Sequence, residues 1–457
     1  MPRSMPSGRR ALGDYPTPEP LARAVCEHLA RRLPRPSHIV EPTCGSGAFL
    51  RAAAAAWPGV PLTGWELVDE KRAALGEGPW TVHGGDAFAL DWPVILPTEP
   101  GLLMLGNPPW GTADAFARVQ GLRPPRRHGQ VRGDGRTGAA NFDTAEWLLV
   151  AWLEALADRR ATVAMLIKAS TARRVLLTAD RLGLPLTPVG MWGIDARRAF
   201  RASVDACLFV VTTDGPGGPC PVSSSLDTPP SRRVCVEEGR WIADAEAWRD
   251  GRRLLGTPPI AWRSGVKHDC AAVMEIAPDG RNGLGELVDI EATHRAPFLK
   301  GSDVAAGRPP LRQLILPHRS AGADTGGLLD EAPRTLAYLE RHAERLEARR
   351  SRIWRSGPRF GLFGLGPYSF APWKVVAPAI HRPTVFRVVG PHNGQPVLVD
   401  DTTVFLPMES EAQAREAARA LESPAVSAYL RARVPPRSKR ALTVTILGAL
   451  DWSKALD

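Results

Sequence analysis

Six cysteines, at positions 26, 44, 207, 220, 235 and 270, are few for 457 residues, and no two form a C-x-x-C pair. That spacing argues against a zinc ribbon, a redox pair or a disulfide framework, and it suits a reducing cytoplasm. Long apolar runs are also missing. One of the longest, around 161–167, falls far short of the roughly 20 residues that a membrane-spanning helix needs. The first ten residues contain Pro and Arg but no apolar stretch, so no secretory signal is expected and no membrane partner is implied. No internal repeat is visible. Lysine is scarce, at seven residues against 51 arginines.

What is present is arginine, glycine and proline. The net charge of +10 favours a polyanionic partner, although a GC-rich genome inflates Arg, Ala, Gly and Pro together, so the position of the charge must decide. Gly and Pro account for 87 of the 457 residues, enough for long loops around compact domains but below a low-complexity chain. The hydrophobic fraction of 44% and charged fraction of 23% are those of a globular protein. The length exceeds what one core usually supports, so two domains are expected.

Thr17 reads as an N-cap, with Pro18 and Glu19 in the first turn and Leu21, Val25, Cys26, Leu29 and Leu33 at helical spacing, which predicts a helix over 18–33. Strands are expected at 38–40, 61–67, 80–83, 101–105, 161–167, 189–194 and 204–212, and helices at 49–57, 142–157 and 170–177. This alternation predicts an α/β domain with a largely parallel sheet over 1–214. A Gly-, Pro- and Ser-rich stretch then suggests a linker over 215–250. Beyond it the alternation fades, and a second domain of mixed α+β character is expected over 251–457, with one charged helix from 333 to about 354.

Three strand ends carry the chemistry. In Glu41-Pro42-Thr43-Cys44-Gly45-Ser46-Gly47-Ala48-Phe49, two glycines allow a tight turn between strand and helix. The spacing is not the six-residue dinucleotide fingerprint and no lysine suits a phosphate loop, so neither nicotinamide nor ATP is the natural ligand. Glu66 ends the next strand, where an acid accepts from ribose hydroxyls, and Asp86 follows the third, where it either accepts from an adenine amine or makes an Asx turn. After the apolar strand 101–105 comes Gly106-Asn107-Pro108-Pro109-Trp110. An aromatic amine is a poor nucleophile because its lone pair is delocalised into the ring. The Asn107 side-chain oxygen and the Pro108 carbonyl are two acceptors for its hydrogens, held on a proline-stiffened backbone. Positioning then supplies most of the catalysis, and no metal is required. Trp110 offers a face on which an extruded base can stack.

These motifs resemble an N6-adenine DNA methyltransferase of the gamma order, with Tyr15-Pro16-Thr17-Pro18 as motif X, Glu41 to Phe49 as motif I and Asn107 to Trp110 as motif IV. Gly265-Val266-Lys267, Phe298 to Asp303, Pro358-Arg359-Phe360, Tyr368-Ser369-Phe370 and Pro372-Trp373-Lys374 resemble the specificity domain of TaqI-type and type IIG modification enzymes. The resemblance implies a Rossmann-like S-adenosylmethionine-dependent methyltransferase domain followed by a target-recognition domain. It implies S-adenosylmethionine as cofactor, held by Thr17, Glu41, Pro42, Thr43, Cys44, Gly45, Gly47, Phe49, Glu66, Leu67, Asp86, Ala87 and Asn107. It also implies catalysis by Asn107, Pro108, Pro109, Trp110 and Phe200, with Phe200 packing on a flipped adenine. Trp110 departs from the family's usual tyrosine or phenylalanine. Lys168 stands where the family often has Pro or Lys and receives no firm role.

The charge is local to two places. Six arginines within 111–140, Arg126 and Arg127 among them, lie beside the catalytic motif, and six more lie within 341–355 near Arg350. Glu340, Glu344 and Glu347 allow the second cluster to be a solvated helix face instead. Double-stranded DNA is the partner implied, with contacts expected from Arg126, Arg127, Lys267, Lys300, Arg350 and Lys374. Rival readings are an N4-cytosine DNA methyltransferase, RNA or protein-glutamine methylation, and a recognition subunit with an inactive methyltransferase fold. With 14 residues before Tyr15, the chain is expected to modify DNA rather than cut it, with a separate endonuclease or defence subunit as a possible partner.

Overall fold

Short apolar strands alternating with helices build one large sheet in the N-terminal unit. The computed structural model describes residues 15–111, 143–319, 328–355, 357–380, 383–436, 438 and 440–456. The chain forms two units, Met1–Ala245 and Glu246–Asp457. Strands β1 (His38–Glu41), β2 (Leu62–Glu66), β3 (Thr81–Gly84), β4 (Leu102–Gly106) and β5 (Ala161–Lys168) run parallel in the order β3-β2-β1-β4-β5. Strand β7 (Ala206–Thr212) lies antiparallel between β5 and β6 (Thr187–Ile194), with Met165 opposite Phe209.

Alternate residues of each strand face opposite sides, and both faces are buried. Leu102, Met104, Val163, Met165, Phe209 and Val211 pack under α5 (Thr144–Ala155) and α6 (Ala169–Leu182), with Trp152 at the centre. Leu103, Leu105, Ala164, Leu166, Leu208 and Val210 pack under α1 (Glu19–Ala30) and α2 (Ala48–Ala56). Helix α6 stops at Gly183, whose φ of +68° is the left-handed conformation glycine adopts most readily. The expected strands and helices of this unit are present within a few residues.

The stretch 215–250 is not a linker. It supplies β8 (Cys220–Ser223), β9 (Arg232–Glu237) and β10 (Arg240–Ile242), which extend the sheet from β6 to ten strands. Gly215 to Pro219 mark the loop between β7 and β8, while Cys220 and Val234 enter the core.

The second unit holds two four-stranded sheets. One contains β11 (Arg263–Ser264), β15 (Trp373–Pro378), β16 (Arg387–Val389) and β18 (Thr403–Met408). The other contains β12 (Glu275–Ile276), β13 (Arg295–Leu299), β14 (Arg312–Ile315) and β17 (Leu398–Val399). The charged helix expected from 333 is broken into Pro333–Arg341 and Ala343–Glu347, followed by a short 3-10 turn. Among the described residues no helix is long and apolar enough to cross a membrane.

Candidate active site

Because β1 to β5 are parallel, their carboxyl ends share one edge of the sheet. The order reverses at β1, which has β2 on one side and β4 on the other, and that is where an open α/β sheet forms a ligand crevice. Glu41, Glu66, Asp86, Asn107 and Lys168 all lie at or just beyond this edge.

The turn after β1 is built on Gly45 (φ +54°) and Gly47 (φ +77°). A Cβ on Gly47 would come within 2.2 Å of the Leu75 side chain, whereas one on Gly45 would meet open space. Glu66 laces the turn to β2: its carboxylate accepts from the Gly45 amide at 2.8 Å and from the Val68 amide at 2.9 Å. Glu41 is fully buried, and burial pushes its pKa well above the carboxylate range, against the opposing pull of the Leu50 amide and Arg51. Among the described residues, Glu41 Oε2, Thr43 Oγ1 and Asn107 Oδ1 are buried with no hydrogen-bond partner. Orphaned buried acceptors carry a desolvation cost; Glu41 and Thr43 after β1 suit a ligand that brings ammonium or hydroxyl donors, and Asn107 after the neighbouring β4 suits an amine.

Other expected cofactor residues divide. Asp86 Oδ1 accepts from the Phe88 amide at 3.0 Å, which is the Asx turn. Leu67 is exposed and Ala87 is buried. Phe49 and Cys44 are core residues, 1% and 4% exposed, with little side-chain surface left for a ligand.

The turn after β4 is held by contacts distant in sequence. Asn107 Nδ2 donates to the Tyr15 carbonyl at 2.9 Å and to Thr17 Oγ1 at 3.2 Å. Both amide hydrogens are thereby used, and Oδ1 is left facing away from them as a free acceptor. Thr17 does not cap α1, as its sequence context suggested; Pro18 takes the N-cap position without a side-chain bond. The carbonyls that follow are occupied. Thr144 Oγ1 donates to the Pro109 carbonyl at 2.8 Å, the Thr144 amide donates to the Gly111 carbonyl at 3.1 Å, and Lys168 Nζ donates to the Trp110 carbonyl at 2.6 Å. Among the described residues no donor reaches the Pro108 carbonyl. Thr144 and Lys168 had no role in the sequence reading. The signals present were an Asp-Thr helix start and a lysine at a strand end.

Trp110 is buried, with its indole N–H on the Leu166 carbonyl at 3.1 Å. Phe200 closes α7 (Ala196–Phe200) and meets Trp110 edge to face, with ring centroids 4.9 Å apart; Tyr15 packs on both rings, at 5.5 and 6.2 Å. Aromatic pairs at such separations are in contact. The space expected between Trp110 and Phe200 is therefore filled by the rings themselves, and a base can enter only if one of them moves.

The expected phosphate contacts separate further. Arg126 and Arg127 lie outside the described residues. Arg350 is exposed, and Lys267 is partly exposed, 3.4 Å from Asp269. Two of the expected lysines are engaged within the protein. Lys300 Nζ pairs with Glu275 at 2.6 Å, in a network where Glu275 also meets His268 and Arg312. Lys374 is 1% exposed and donates to the Ala371 carbonyl at 2.6 Å; burial lowers its pKa to about 8. It cannot reach a phosphate from that position.

No family model matches the chain. It is 34% identical over 459 residues, covering 96% of each chain, to the type II methyltransferase M.NspV of Nostoc sp.. Among solved structures it resembles the type IIL restriction-modification enzyme MmeI, solved in complex with DNA, with a TM-score of 0.55 and 14% identity. The match covers 95% of this chain and 64% of that one, which is a likeness of fold.

Proposed function

Since the chain belongs to the type II methyltransferases, we propose that it transfers a methyl group from S-adenosylmethionine to the N6 amine of an adenine flipped out of double-stranded DNA, in the gamma order of motifs. The observation that carries this reading is Asn107. Its amide is anchored through both hydrogens to Tyr15 and Thr17, leaving Oδ1 buried and free beside a Pro108 carbonyl that no donor reaches among the described residues. Two acceptors suit an exocyclic amine, whose two hydrogens need acceptors and whose lone pair must be drawn out of the ring.

S-adenosylmethionine, when bound, supplies an electrophilic methyl group on a sulfonium. Glu41, Thr43 and the Gly45 turn would hold it, with Glu66 holding the turn. Asn107 Oδ1 and the Pro108 carbonyl accept the amino hydrogens and pull the nitrogen toward tetrahedral geometry, its lone pair directed at the methyl group. As the N–C bond forms, the methyl–sulfur bond would break and the electron pair would stay on sulfur, so that the cofactor leaves as a neutral thioether and the proton lost by the amine passes to water. Rings that already pack against each other, Trp110, Phe200 and Tyr15, would part to clasp the base. The second unit would read the target sequence, with Arg350 and Lys267 as phosphate contacts that hold it on the duplex.

The test is incubation of unmethylated plasmid DNA with tritiated cofactor, followed by nucleoside mass spectrometry. N6-methyladenine is expected; N4-methylcytosine would replace adenine by cytosine as the target. Asn107→Ala should keep cofactor and DNA binding while methyl transfer falls by about 10²–10³, the usual loss for one preorganised hydrogen-bonding group. No methylated nucleoside from the wild type, with DNA binding intact, would leave a recognition subunit in its place.

A further inference from the structure

The two acceptors proposed for the target amine are only as good as their placement, and the backbone carrying them is clamped by groups with no assigned role. Pro109, Trp110 and Gly111 each present a carbonyl, and each is held by a donor from a different part of the chain. Thr144 holds the first and third, through its hydroxyl and its amide, and Lys168 holds the second. Lys168 is itself fixed. It closes β5, and its ammonium also meets Asp143 Oδ2 at 2.7 Å. Asp143 caps α5 by accepting from the Ala145 amide at 3.1 Å, and Arg174 approaches the same carboxylate at 3.6 Å while pairing with Glu146. Asp143 is 8% exposed, so the ammonium is held by a carboxylate with little access to solvent.

We propose that Lys168 and Thr144 are positioning residues for methyl transfer: by occupying the three carbonyls after Pro108, they set the peptide planes that leave the Pro108 carbonyl free and aimed at the incoming amine. This rests on the reading of Asn107 and Pro108 as the acceptors. One peptide plane, which carries the Pro109 carbonyl, lies between the Lys168 contact and the Pro108 carbonyl, and the fixed φ of Pro109 limits local compensation. A clamp released at Trp110 therefore moves the acceptor itself, and a displacement of about 1 Å at a reacting centre can cost 10²-fold in rate. Neither residue contacts the glycine turn at Gly45, so cofactor affinity should be insensitive to both.

Single-turnover methyl transfer to unmethylated plasmid DNA tests this, with cofactor affinity by calorimetry and melting temperature measured on the same variants. Lys168→Met should slow transfer by about 10- to 100-fold, with cofactor affinity within twofold of wild type and the melting temperature little changed. Lys168→Arg, which can still donate to a carbonyl and pair with Asp143, should recover most of the rate. Thr144→Val should show a smaller loss, since its amide still holds Gly111. Lys168→Met combined with Asp143→Asn removes the stranded carboxylate but keeps an oxygen to cap α5, and it should remain as slow as Lys168→Met. Recovery of the rate in that double variant would show that the stranded charge, not the lost clamp, caused the defect, and would overturn the proposal. So would Lys168→Met turning over within threefold of wild type, or a slowdown matched by equal losses in cofactor affinity and stability. Asn107→Ala run alongside separates the two levels: if it remains fully active the acceptor reading fails, whereas a dead Asn107→Ala beside a fast Lys168→Met removes the clamp alone.

Discussion

Replacing Lys374 by methionine should stabilise the second unit, by an amount that depends on pH. The ammonium sits on β15 with 1% exposure, has one backbone acceptor, the Ala371 carbonyl, and lies 6.0 Å from the centre of the Phe405 ring. Burial lowers the pKa from 10.5 to about 8. At about 1.4 kcal/mol per pH unit, that fall represents roughly 3 kcal/mol of destabilisation wherever the group is charged in the folded protein. A folded pKa below the unfolded one means that the unfolded chain binds more protons between pH 8 and 10.5, so wild-type stability rises through that window. Methionine has a similar shape and no charge, but it gives up the bond to Ala371, worth about 1 kcal/mol. The net gain expected at pH 7 is about 2 kcal/mol, shrinking and then reversing as the pH approaches 10.5. Urea unfolding of wild type and Lys374→Met at pH 7 and at pH 10 measures it. Destabilisation at pH 7, or a difference that does not change with pH, would refute the reasoning. A large loss of DNA affinity in the same variant would return Lys374 to a role in binding that its burial argues against.

Two further outcomes follow from the same unit. Glu275 is desolvated, which raises its pKa, but bonds from His268 and Lys300 outweigh this and hold it at about 2; its contribution is therefore present above pH 4.5 and lost as pH falls toward 2. Glu275→Gln should lower stability at pH 7 by at most about 3 kcal/mol, and the gap to wild type in thermal or urea unfolding should close on acidification; a gap unchanged between pH 7 and 3 would contradict this. Arg350 is exposed, so Arg350→Ala should weaken DNA binding alike on all sequences and reduce the slope of log affinity against log salt by about 0.9, as read by fluorescence anisotropy across a salt series; an unchanged slope would remove it from the phosphate contacts.

The Asn107-Pro108-Pro109-Trp110 turn was legible because its determinants are local. Two successive prolines, an asparagine and an apolar strand before them define a stiff turn at a strand end wherever they occur, and a sheet of parallel strands brings such ends to one edge. The same holds for Glu41, Glu66 and the Gly45 turn, whose placement follows from strand periodicity and from the φ values that glycine permits. What tertiary structure alone decided is everything that depends on a partner far along the chain. The direction of the Asn107 amide is set by a carbonyl 92 residues earlier. Thr17 satisfies the local pattern of a helix cap, yet its hydroxyl accepts from Asn107, 90 residues away, and Pro18 takes the cap position. Lys300 and Lys374 read as free cations, since charge is visible in a sequence while burial and a buried carboxylate opposite are not. The Gly- and Pro-rich stretch after β7 read as a linker because composition reports backbone freedom, whereas β8 to β10 exist through pairing with a strand that ends 26 residues before β8 begins. Trp110 and Phe200 were legible as aromatic, but their mutual contact, which closes the pocket between them, depends on three-dimensional packing that no spacing in the chain records.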